Sequence, residues 1–199
     1  RLEDPVYFYR KPPTLLNGMA EMEIMEELRN KIYAAVERQL MSDVPLGVML
    51  SGGVDSSTVS QIATEITGGP LQTFTVGFSS DFNENELVHA REASRRIGSH
   101  HHDIAISAEE YADFMPKSMW FLEEPIATAS TVAFYKVCEL ARQHVKVVLT
   151  GQGADEPFAG YLRHFGERWG GYYRSLPEAV RNYFIAPLVE LLPRNERLK

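Results

Sequence analysis

The chain has 199 residues, 44% of them hydrophobic and 24% charged, a composition that excludes a largely disordered protein. Twenty Lys and Arg against 27 Asp and Glu leave a formal net charge of −7, which argues against a nucleic-acid backbone as the partner. Cys138 is the sole cysteine, so no internal disulfide can form and a reducing, cytoplasmic setting is expected. No apolar run reaches the roughly 18–20 residues of a membrane helix.

Residues 1–20 are read as an irregular segment, broken by Pro5, Pro12, Pro13, Asn17 and Gly18. From Glu21 to Met41 the apolar positions Met25, Leu28, Ile32, Ala35, Val36 and Leu40 recur every three or four residues, which predicts an amphipathic helix. Leu46 to Leu50 is a short apolar strand, and Ser56 to Ile66 a helix. Leu71 to Phe78 reads as strand, Glu84 to Ile97 as helix, His102 to Ile106 as strand. Helices are expected over Ala108–Phe121 and Thr131–Gln143, with the apolar strand Val145–Leu149 after them. Beyond Tyr161 the chain is aromatic and helical, with breaks at Pro177 and Pro187. Strands alternating with helices of this length predict an α/β fold, a mostly parallel doubly wound sheet with helices on both faces. The expected organisation is an irregular segment (1–20), an α/β domain (21–165) and a helical extension of it (166–199). Ligands of such sheets sit at the carboxyl ends of the strands.

The strongest local signal is Ser51-Gly52-Gly53-Val54-Asp55-Ser56-Ser57, between a strand and a helix. Paired glycines let backbone amides approach an anion, the helix adds open N–H groups, and the serines add hydroxyls. The cradle suits a pyrophosphate. A carboxylate among bound phosphates is repulsive unless a cation lies between, so Asp55 implies shared Mg²⁺; the plainer reading of Asp55 is a helix cap. The spacing is not that of a Walker A loop, a dinucleotide fingerprint or a nucleophile elbow.

This loop resembles the pyrophosphate loop of enzymes that split ATP into AMP and pyrophosphate. Its lead-in Ser42-Asp43-Val44-Pro45-Leu46-Gly47-Val48, TFTVGF (73–78), Asn85-Glu86 with Ala90-Arg91, His101-His102-Asp103, Glu124-Pro125 and TGQGADEPFAGY (150–161) resemble the synthetase domain of the asparagine synthetase family. The resemblance implies an adenine-nucleotide α-hydrolase-like fold and an ATP-dependent ligase that activates a carboxylate, aspartate first among candidates, as an acyl-adenylate. Ammonia from glutamine then forms the amide. By the same resemblance Leu50, Ser51, Val76 and Gly77 line the adenosine side. Ser51, Gly52, Gly53, Asp55, Ser56 and Ser57 hold the phosphates, and Thr150, Gly151 and Gln152 close over the adenylate. Asp155 and Gln152 stand at the catalytic positions, with Asp55 and Asp155 toward Mg²⁺. An N-terminal glutaminase domain is the expected partner in the full-length chain, a homodimer is left open, and neither nucleic acid nor membrane is expected.

Gln152 and Thr128 stand where many members carry acidic residues, and Gln cannot take a proton. The glutaminase cysteine and a late lysine of the family have no counterpart in 1–199, so this stretch alone is expected to bind ATP without turnover. Two alternatives stay open: a non-catalytic nucleotide-binding or interaction domain of the same fold, and an amidotransferase-like synthetase acting on another acid. A tRNA-modifying adenylase shares the loop but fits the acidic charge poorly. Bland roles suffice elsewhere. Adjacent histidines 100–102 point to opposite faces of a strand and share one ion poorly. Cys138 reads as a packed thiol, and Trp169, Tyr172, Tyr173, Tyr183 and Phe184 as core or domain contacts.

Overall fold

The structure, a computed structural model, describes residues 18–79, 86–124, 128 and 130–190. The expected irregular segment up to Asn17, Asn85 and Pro125 lie outside these. Contacts divide the chain into two compact units, up to Gly151 and from Gln152 onward.

In the first unit, α1 (Glu21–Gln39) precedes β1 (Leu46–Met49), α2 (Val54–Thr67), β2 (Gln72–Phe78), α3 (Glu86–Ile97), β3 (His100–Ile106), α4 (Ala108–Leu122), α5 (Ser130–Ala141) and β4 (Val147–Leu149). Local chemistry explains the boundaries. Helix α2 stops at Gly68, whose left-handed φ of 68° suits a residue without Cβ. Helix α4 starts on a Ser107–Glu110 capping box.

The four strands form one sheet in the order β3-β2-β1-β4, every pairing parallel. The chain steps outward from β1 to β2 to β3, then returns to pair β4 on the other side of β1. That return is the topological switch point, between β1 and β4. Side chains alternate across the sheet. On one face Val48 packs with Ile62 and Ala63 of α2 and Val36 of α1. On the other, Phe74 packs with Val137 and Ala141 of α5. Helices therefore cover both faces, as the doubly wound reading requires.

Helix α3 lies against the same face as α2: Gly77 leaves no room for a Cβ because Leu87 occupies its place. Arg91 ties α3 to β3 through an ion pair with Asp103 at 2.5 Å. His101 and His102 diverge as period-two geometry demands. His101 Nδ1 lies 3.0 Å from Thr73 Oγ1, while His102 Nε2 lies 2.6 Å from Gln72 Oε1 and its ring stacks on His144 at 3.9 Å. Cys138 is half-buried, and burial pushes its thiol pKa up.

The second unit contains α6 (Asp155–Phe158), α7 (Leu162–Ser175), α8 (Glu178–Val180), a π-helical turn (Arg181–Ile185) and α9 (Ala186–Glu190). Pro177 separates α7 from α8, but Pro187 does not end the helix: the π-helical turn runs directly into α9, and Pro187, which has no N–H to donate, is the second residue of α9. The aromatic residues read as core or domain contacts are exposed within this chain, Trp169 at 70% and Tyr183 at 79%.

Candidate functional site

The loop after β1 is shaped by three linked devices. Gly52 has φ +82°, and an added Cβ there would sit 2.5 Å from the His89 carbonyl carbon and 2.7 Å from the Ala90 nitrogen. It is thus glycine twice over, for conformation and for the backbone of α3 pressed against it. Ser51 and Ser56 form a hydroxyl clasp across the turn, 2.9 Å apart. Ser56 Oγ accepts from the Ser51 N–H at 3.2 Å and donates to the Gly53 carbonyl at 3.3 Å. Ser51 Oγ accepts from the Gly53 N–H at 3.3 Å. Both hydroxyls are engaged within the loop, so what the turn presents outward is chiefly backbone.

Gly53 is the N-cap of α2, in extended conformation, with no side-chain cap. The first intrahelical bond runs from the Ser57 N–H to the Gly53 carbonyl at 3.1 Å. The amides of Val54, Asp55 and Ser56 therefore have no partner inside the helix, and the positive end of the dipole adds to them. Asp55 lies in this first turn, and its carboxylate has no hydrogen bond or ion pair among the described residues. An acidic side chain beside open amides fits a divalent cation shared with a bound polyphosphate.

The second glycine segment arrives beside the first because β4 pairs with β1. A Cβ on Gly151 would meet the Ser56 nitrogen at 2.7 Å and the Asp55 carbonyl carbon at 2.9 Å. The turn after β4 thus lies directly on the first turn of α2, at the switch point. Thr150 is half-buried immediately before it.

Leu50 is a core residue, 1% exposed. Its N–H donates to the Phe74 carbonyl at 2.9 Å, and its carbonyl accepts from the buried Thr75 hydroxyl. Strand β2 runs beyond the end of β1, whose last register partner is Met49 with Phe74. Residues of a parallel strand alternate the edge toward which their peptide groups point. Phe74 faces β1, so Val76 does too, past the point where β1 has turned away. Gly77 contributes its missing side chain to α3 packing. Sequence reasoning missed Thr75, and it missed the role of α3; the alternation in TFTVGF marks Thr75 as one-faced but carries no sign of its bond.

A groove of about 680 Å³ runs between α1, α2 and α3, lined by apolar Met25, Leu28, Ile32 and Ile62 and reaching the loop at Gly52 and Ser57. It lies along the helices, not across the strand ends. In the second unit Gln152 is exposed and Asp155 half-buried. Asp155 opens α6, and its carboxylate lies against Gly160, which has no space for a Cβ. Among the described residues no cluster of three metal-ligating side chains occurs, and no helix is long and apolar enough to cross a membrane.

A doubly wound parallel sheet with two glycine turns meeting on a helix N-terminus at its switch point defines an α/β domain with open backbone amides at its strand ends. The chain belongs to the asparagine synthase family, whose model matches residues 27–198. A Methanocaldococcus jannaschii relative is 34% identical over 176 residues, 88% of this chain and 34% of that protein. Asparagine synthetase 1 of Bacillus subtilis, described as glutamine-hydrolysing, is 39% identical over 142 residues, 71% of this chain and 22% of that protein. The Penicillium rubens amidase chyE is 31% identical over 177 residues, 81% of this chain and 26% of that protein. This chain spans about a third or less of the length of these relatives. Among solved structures, the NH3-dependent NAD synthetase of Campylobacter jejuni overlaps at 16% identity and a TM-score of 0.43, covering 72% of this chain and 61% of that one, an overlap too loose to bear on the argument.

Proposed function

We propose that this chain is the ATP-binding synthetase domain of an amide-forming ligase that activates a carboxylic acid as its acyl-adenylate. The observation that carries the reading is the contact of Gly151 with the Ser56 amide. It joins two glycine turns into one site at the carboxyl ends of β1 and β4, where such sheets bind ligands. A carboxylate resists ammonia because it is charged and lacks a good leaving group. Its attack on the α-phosphorus of ATP forms the adenylate and expels pyrophosphate. The amides of Val54, Asp55 and Ser56 would stabilise charge on that leaving group, in a cradle held ready by the Ser51–Ser56 clasp. Ammonia then displaces AMP.

Asp55 would hold Mg²⁺, which when bound neutralises charge on the phosphates. Leu50, Val76 and Gly77 would bound the adenosine side; Thr150 and Gly151 would close over the adenylate. Glutamine would supply ammonia through a glutaminase domain, in a cytoplasmic enzyme; the Bacillus subtilis relative is described as glutamine-hydrolysing. Aspartate is the first acceptor to test. An acceptor other than aspartate is favoured by Gln152 and Thr128, which offer no carboxylate where many members have one, and by the relative described as an amidase.

The test is product analysis on the full-length protein with Mg-ATP, ammonium and a panel of carboxylic acids that includes aspartate. Acid-dependent release of AMP and pyrophosphate in equal amounts is expected. Release of ADP, or no binding of Mg-ATP by calorimetry, would overturn the reading.

A further inference from the structure

We propose that Arg91 and Asp103 are positioning residues for pyrophosphate binding: their ion pair holds α3 against the sheet, and α3 is the wall on which the Gly52 turn is shaped. This assignment rests on the nucleotide reading above. Gly52 is the point of contact. An added Cβ there would sit 2.5 Å from the His89 carbonyl carbon, 2.7 Å from the Ala90 nitrogen and 2.7 Å from the His89 Cβ. Two of these atoms are backbone, so where α3 lies decides where the turn can lie. Leu87, Ala90 and Ser94 are the buried residues of α3, at the three- and four-residue spacing of one helix face. Leu87 fills the space over Gly77. Toward the other end of the helix, Ser94 Oγ accepts from Ser99 Oγ at 2.9 Å.

Arg91 follows Ala90 directly and reaches Asp103 of β3 at 2.5 Å. The pairs Glu27–Lys31, Glu92–Arg96 and Lys136–Glu139 each span a single helical turn. Arg91–Asp103 instead joins a helix to a strand, one that lies two places from β1 in the sheet. Its side chains are 50% and 21% exposed, so the pair adds little to global stability. What it adds is location. Without it the first turns of α3 can move off β3, and the Gly52 turn loses its backing. The amides of Val54, Asp55 and Ser56, two to four residues further on, then meet the β- and γ-phosphates less well. The adenosine side is spared, because Leu87 still fills the space over Gly77.

Calorimetry on the full-length protein, well below its Tm, measures Mg-pyrophosphate and AMP binding by the wild type, Arg91→Met, Asp103→Asn and the double variant. Each single variant should weaken Mg-pyrophosphate about three- to tenfold and AMP less than about twofold. The double variant should be no weaker than the singles, since all three lack the same pair. The two substitutions shift the net charge in opposite directions, so a field effect alone would weaken pyrophosphate in one and tighten it in the other. Opposite shifts, unchanged pyrophosphate affinity in the folded variants, or equal weakening of AMP overturns the proposal. Hydrogen exchange supplies a reading without ligand. The Gly53 N–H, which donates to Ser51 Oγ at 3.3 Å, should exchange faster in both single variants than in the wild type, and equal rates overturn the proposal. A wild type that binds neither Mg-ATP nor Mg-pyrophosphate overturns the nucleotide reading and this proposal with it, whereas normal wild-type binding with unaffected variants overturns the proposal alone.

Discussion

Gly52 and Gly53 are adjacent, yet the structure assigns them opposite duties. Gly52 holds φ +82°, and its absent Cβ would fall 2.5 Å from the His89 carbonyl carbon and 2.7 Å from the Ala90 nitrogen. Those atoms belong to the backbone of α3, which is packed on Gly77 through Leu87 and tied to β3 by Arg91–Asp103, so neither side can yield cheaply. Gly52→Ala incurs about 1–2 kcal/mol for the left-handed conformation and about 1–3 kcal/mol for overpacking. The sum, about 2–5 kcal/mol, corresponds to a fall in Tm of roughly 5–20 °C for a chain of this size. Gly53 has φ −70° and ψ 164°, open to any residue, and its Cβ would meet only Ser51 Oγ at 3.3 Å. Ala caps a helix less well than Gly, by roughly 0.5–1 kcal/mol, but loses less chain entropy on folding, by about 0.4–1 kcal/mol, so the two offset and Gly53→Ala should change stability by no more than about 0.5 kcal/mol. That same Cβ protrudes among the amides offered to an anion, so Mg-ATP affinity should drop at least about tenfold. Urea denaturation monitored by circular dichroism, paired with calorimetric titration of Mg-ATP, separates the two. Equal destabilisation by the two alanines would refute the division, as would unaltered ATP affinity in Gly53→Ala.

Three further outcomes are expected. Asp55→Asn keeps the size and shape of the side chain but removes the charge that answers Mg²⁺, so Mg-ATP should bind more weakly while AMP is unaffected; equal affinities for Mg-ATP would leave Asp55 only a favourable charge in the first turn of α2. Gly151→Ala pushes a methyl toward the Ser56 nitrogen, 2.7 Å from its ideal position, and should lower both Tm and Mg-ATP affinity, whereas an unchanged affinity would detach the second turn from the site. Burial holds the His101 pKa below its ordinary value, and burial followed by the charges of His144 and His100 does the same for His102. The unfolded chain therefore binds more protons, so the stability these rings contribute is present above the unfolded value of about 6.5 and is lost as pH falls through the lowered folded values. Urea midpoints at pH 7.5 and 5.5 should differ less in His102→Asn than in the wild type, and an identical difference would remove His102 from the account.

Much of this was legible along the chain because it depends on neighbours a few residues apart. The three- and four-residue repeat of Leu28, Ile32 and Val36 is visible without any tertiary contact, as are the apolar runs that became β1, β2 and β4. So is the pairing of each glycine turn with the strand before it, since a chain leaving a strand for a helix within a few residues needs a tight turn. The sequence reading starts this helix at Ser56, two residues after its observed start at Val54, because the N–H groups of Val54 and Asp55 make no bond inside the helix and the two residues read as part of the glycine turn. Tertiary structure alone decided the order β3-β2-β1-β4, which brings Gly151 onto Ser56 from about a hundred positions away. It also distinguished glycines that look identical in a string of letters: Gly52 is constrained by Ala90, Gly77 by Leu87, and Gly53 by nothing but Ser51. Nor could spacing show that the Thr75 hydroxyl answers the Leu50 carbonyl, 25 residues before it. Periodicity is a property of one element and its own axis. Which carbonyl a hydroxyl meets depends on how two elements are registered against each other, and that is set only when the sheet has formed.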